Sequence, residues 1–63
     1  MTEEEIGETI AHLKACAVHF DLSRADVSYK QMRALRSAVG DPELRLDAEY
    51  IIKEIGLSVE DLV

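Results

Sequence analysis

Apolar residues recur along this chain at helical spacing, not at the alternation of a strand. Ile6, Ile10, Leu13, Ala17 and Phe20 are separated by 4, 3, 4 and 3 positions, which places all of them on one face of a helix. Thr2 and Glu5 form a capping-box pair at its start, the hydroxyl serving a first-turn N–H and the carboxylate reaching back. These positions predict a helix from Glu3 to Phe20. Ala25, Tyr29, Met32, Leu35 and Val39 form a second stripe, and Ser23 with Asp26 marks its beginning, so the second helix is expected to run unbroken from Arg24 to Val39.

Gly40 suits the left-handed position just past a helix, while Asp41 and Pro42 supply an N-cap and a first-turn proline for a third helix. Leu44, Ala48, Ile51 and Ile55 give that helix its inner face, and Gly56 ends it. Ser58 with Asp61 then predicts a short helix through Leu62. The expected fold is all-α: an antiparallel three-helix bundle with a short fourth C-terminal helix, occupying residues 1–63 as a single domain. An internal echo runs through the chain, since Phe20–Val27 and Ile55–Leu62 both read as helix end, leucine, serine cap and new helix. The favoured account is the same corner chemistry used twice, the alternative a duplication.

Length limits what such a fold can hold. With 63 residues the core is small, and the single cysteine, Cys16, excludes an internal disulfide, so association with another subunit or partner is the expected supplement to stability. The lone thiol, together with the acidic run Thr2–Glu5 where a signal peptide is basic, leads us to expect a cytoplasmic protein without a membrane segment. Net charge is −6, which disfavours nucleic-acid binding by the surface as a whole. The charge is uneven, however: residues 1–21 carry −4, residues 22–39 carry +3 and residues 40–63 carry −5.

Candidate chemistry is sparse. His12, Cys16 and His19 fall on one flank of the first helix, but a rise of about 1.5 Å per residue separates the two histidines by roughly 10 Å, too far for one ion to take all three. No metal or other cofactor is expected. No nucleophile, base and orienting group converge in the pattern, and no glycine loop suits a phosphate, so the chain is not expected to be an enzyme.

Lys30, Arg33 and Arg36 repeat every three residues to form a basic ridge on the second helix. The segment from Ala25 to Leu35, with Val27-Ser28-Tyr29 at its centre, resembles the turn and recognition helix of helix-turn-helix repressors of the lactose-repressor type. It departs from that pattern at Asp26, where the family turn has glycine, and at Leu22, where it has a small alanine. The resemblance implies that Ser28, Tyr29, Lys30 and Arg33 face DNA while Val27, Met32 and Leu35 pack inside. A DNA-binding regulator using this helix is therefore the alternative function.

The favoured function comes from the third helix. Glu43, Asp47 and Glu54 line one flank with Tyr50 between them, and Leu46 lies beside Tyr50 away from the core stripe. Val18 is a similar surplus apolar residue on the first helix. An apolar patch with an acidic rim predicts a regulatory or inhibitory protein that covers another protein's surface, such as a basic nucleic-acid-binding one, or that forms a homodimer.

Overall fold

The computed structural model describes residues 1–62. Three α-helices, α1 (Glu3–His19), α2 (Tyr29–Val39) and α3 (Arg45–Glu54), each pack against the other two, with no strand among the described residues. Glu3 and Ile6 share one groove with Ser37 and Gly40, whereas His12 and Cys16 share another with Gln31.

The core forms where the three helices meet. Ile10 and Leu13 come from α1, Leu35, Ala38 and Val39 from α2, Ala48, Ile51 and Ile52 from α3, and Ile55 and Leu62 close the end. Ala34, Ala38 and Ala48 are completely buried as well, small side chains among the large ones. No polar or charged side chain is buried among the described residues, and apolar burial carries the fold.

The unbroken second helix is not what forms. Arg24–Asp26 is one 3-10 turn, the backbone is extended at Val27 and Ser28, and α2 begins at Tyr29. Ser28 captures this start: its Oγ accepts the Gln31 N–H at 3.1 Å, while Gln31 Oε1 accepts the Ser28 N–H at 2.8 Å. The serine and the glutamine three residues on thereby satisfy two otherwise orphaned donors at this start. The break releases Ala25 from the helical period. Tyr29, expected inside, is 81% exposed, because the buried face of α2 centres on Leu35, Ala38 and Val39 and Tyr29 lies beyond its edge. Phe20, also expected inside, is 73% exposed, since α1 ends at His19 and the backbone at Phe20 is extended.

The remaining ends show how local chemistry was apportioned. Gly40 has φ −86°, not the expected left-handed conformation, and its N–H donates to Ser37 O at 3.2 Å in a tight turn. The left-handed residue is Gly56, at φ 82°. There the Leu57 N–H reaches Ile52 O at 3.0 Å and the Leu57 side chain packs on the core, which closes α3. At the other end of α3, Asp41 is not the N-cap that was expected: its Oδ1 accepts the Glu43 N–H at 2.9 Å within the preceding turn, and the helix starts at Arg45 with Leu44 in the cap position and no side-chain cap bond.

The expected fourth helix is a single 3-10 turn, Val59–Asp61. It repeats the Arg24–Asp26 turn closely. In each, the serine N–H donates to the aspartate Oδ2, at 3.0 Å for Ser23 and 2.9 Å for Ser58, and the serine hydroxyl donates to the same oxygen at 3.0 and 3.1 Å. Each is preceded by a leucine, Leu22 or Leu57, packed against the core. The echo in the sequence is therefore one turn motif used twice.

These bonds favour the charged carboxylates. The Ser23 backbone N–H, then its hydroxyl, holds Asp26 below the usual carboxylate range, and Ser58 does the same for Asp61, with Arg24 adding a smaller attraction. A folded-state pKa below the unfolded value gives stability that is present above the unfolded pKa and lost as pH falls through the folded one. Urea midpoints should therefore fall with acidification through the carboxylate range, less steeply in an Asp26→Asn/Asp61→Asn variant than in the wild type. Identical pH profiles would show that the turns contribute nothing.

Candidate functional site

The outward side of α3 is built by the same helix that supplies much of the core. Its inner face, Ala48, Ile51 and Ile52, is essentially inaccessible to solvent, which forces Leu46 and Tyr50 outward. Leu46 is 79% exposed and Tyr50 39%, and at i and i+4 they are neighbours on one face. Glu43 is exposed in the turn that feeds α3, and Glu54 is exposed at its last position.

Asp47 stands apart from this expected acidic rim. Lys14 Nζ on α1 donates to its Oδ1 at 2.6 Å, so Asp47 is a strut between α1 and α3. On the opposite flank Arg45 Nε donates to Glu49 Oε1 at 2.7 Å, one turn along the same helix. Each ion pair neutralises one edge of the Leu46–Tyr50 patch. Glu43, Lys53 and Glu54 have no ion-pair partner among the described residues.

Sequence reasoning overlooked Lys14, Arg45, Glu49 and Lys53. The i, i+4 spacing of Arg45 and Glu49 is a readable signal. So is the 3-4-3 spacing of Glu43, Leu46, Tyr50 and Lys53. The Lys14–Asp47 pair, 33 positions apart, has no local signature.

The second candidate surface lies on α2. Tyr29, Lys30, Arg33 and Arg36 are all exposed, while Val27 and Met32 are partly buried against the core and Leu35 is fully buried. That inside–outside division matches what the repressor resemblance implies, and Ser28 opens the helix as it would there. Ser28 Oγ is engaged in capping. Lys30 Nζ lies 3.8 Å from Glu5 Oε2, a loose contact, and Arg33 and Arg36 pair with no carboxylate among the described residues. The segment before α2 is a 3-10 turn of three residues, not the helix that a helix-turn-helix unit requires.

On α1, His12 Nε2 and Cys16 Sγ approach to 3.7 Å beside a groove lined by Phe20 and Leu22. His19 does not join them, and no group of three or more potential metal ligands is gathered among the described residues. No helix among the described residues is long and apolar enough to cross a membrane. Comparison with protein families, with curated proteins and with solved structures finds no match to this chain.

The exposed position of the Lys14–Asp47 pair limits its energetic weight, since solvent screens it and two flexible side chains must be held. Lys14→Ala or Asp47→Ala should lower stability by no more than about 1 kcal/mol in urea unfolding, with the loss shrinking as salt is added. A larger, salt-independent loss would mean that Asp47 has a structural role beyond this pair.

Proposed function

We propose that this chain is a non-enzymatic binding protein, regulatory or inhibitory in effect, that covers the surface of a protein partner with the outward side of α3. We read its scaffold as an antiparallel three-helix bundle. The exposure of Leu46 beside Tyr50 carries this reading: a leucine and a tyrosine adjacent on a rigid helix, edged by settled ion pairs, make an apolar anchor that costs little ordering entropy on binding. Glu43 and Glu54 form the acidic rim, Asp47 being engaged with Lys14, and with a net charge of −6 they favour a partner surface that is basic, such as one that binds nucleic acid.

A second reading is supported by α2. The outward Tyr29, Lys30, Arg33 and Arg36, with Val27, Met32 and Leu35 inward, suit a DNA-reading helix opened at Ser28. The missing preceding helix and the overall negative charge weigh against it.

Leu46 is too exposed for its replacement to unfold the chain, so Leu46→Asp isolates the patch. Immobilised wild-type protein should retain a partner from an extract of the cells that make it, and Leu46→Asp should lose that partner. Equal retention by both overturns the reading. For the second reading, anisotropy with a pool of randomised duplexes at about 50 mM salt should detect binding that Arg33→Ala weakens and that about 200 mM salt reduces steeply. No binding at the lower salt removes it.

A further inference from the structure

Glu43, Leu46, Tyr50 and Lys53 follow one another at intervals of 3, 4 and 3 positions. This is the spacing of a helix-to-helix seam: Leu46, Tyr50 and Lys53 run along the side of α3 facing away from Ala48, Ile51, Ile52 and Ile55, and Glu43 stands in the turn that leads into it. The stripe is apolar in the middle, acidic at one end and basic at the other. Neither end charge has an ion-pair partner among the described residues, whereas the charges on both flanks are already joined as Lys14–Asp47 and Arg45–Glu49.

From this pattern we infer that the occupant of the stripe is a second copy of the chain, with the two α3 helices packed antiparallel about a two-fold axis level with Ala48. The inference rests on the reading of Leu46 and Tyr50 as a binding surface, and it names what covers them in the free protein, before a different partner takes the stripe. Leu46 and Tyr50 are equidistant from position 48, as are Glu43 and Lys53. An antiparallel pairing centred there sets Leu46 against Tyr50 of the partner subunit and Glu43 against Lys53 of the partner subunit, each contact occurring twice by symmetry. A parallel pairing would set Glu43 against its own copy and Lys53 against its own copy, and like charges disfavour it. Tyr50 fills the seam with a ring whose hydroxyl reaches its wet edge, as aromatic residues do at interfaces.

Three residues of one short helix and one in the turn before it make a small interface, below about 1,200 Å² in total, so the dimer is weak and depends on concentration. Leu46→Asp disrupts this seam and the capture of a different protein alike, but charge reversal separates the two. Sedimentation equilibrium of the purified chain from about 10 µM to about 1 mM should show a monomer–dimer equilibrium. Glu43→Lys and Lys53→Glu, each placing two like-charged pairs across the seam, should each weaken dimerisation about ten-fold. The double variant Glu43→Lys/Lys53→Glu, which restores both pairs in reversed sense, should recover most of the loss. Both positions of charge reversal are on the surface, and circular dichroism of each variant checks that the fold is kept. A monomer at about 1 mM, or single reversals without effect, or a double variant no better than the singles, overturns the inference. Such a result leaves the capture experiment with Leu46→Asp to stand or fall alone.

Discussion

Everything in this protein depends on burying the few large apolar side chains that a short chain can bring to one point. Ile10, Leu13, Leu35, Ile51 and Ile52 are essentially sealed from solvent, and Ala34, Ala38 and Ala48 between them leave room for the helices to approach. Truncating one such large residue to alanine costs about 2–5 kcal/mol in known cores, comparable to the whole stability of a domain this size. The core therefore has no place for a buried charge or an internal pocket of polar groups. Whatever the molecule recognises, it recognises with its surface.

That constraint also explains the arrangement of the surface. Each helix must commit one face inward, and α3, whose last two turns commit both Ile51 and Ile52, presents Leu46 and Tyr50 on the side left over. The struts beside that stripe are local on one flank, Arg45 to Glu49, and long-range on the other, Lys14 to Asp47. α2 makes a comparable division with a different result: its outward side is basic, and a single tyrosine stands on it. The two 3-10 turns act as punctuation. Each seats a leucine against the core and then changes the direction of the chain through a serine–aspartate box that needs only four residues.

Much of the fold was legible residue by residue. Ile10, Leu13, Leu35, Val39, Ala48, Ile51 and Ile55 are buried where helical periodicity puts them, and Thr2 caps α1 through the Glu5 N–H as its sequence context implies. Periodicity failed where a stripe was carried past a helix end. Phe20 and Ala25 lie outside regular helix, and a spacing argument has no force on extended backbone or in a 3-10 turn. Ser23–Asp26 and Ser28–Gln31 are overlapping start signals, and the first was read as opening the helix that the second opens. Within the candidate site, the outward placement of Leu46 and Tyr50 was readable from the core stripe alone, whereas the engagement of Asp47 was not.

The sequence by itself determined the class of structure, the start of α1 at the Thr2 cap and the close of α3 at Gly56, because helical periodicity, a capping hydroxyl and a left-handed glycine act over a few residues and carry their information locally. It likewise determined that the chain holds no disulfide and that its charge is segregated by segment. Only the tertiary structure decided which of two capping signals opens α2, that Phe20 and Tyr29 stay in solvent, and that Asp47 is tied to Lys14 while Glu43 and Lys53 are not tied. Those outcomes depend on where one helix lies relative to another, and the distances between helices arise only when the shared core closes.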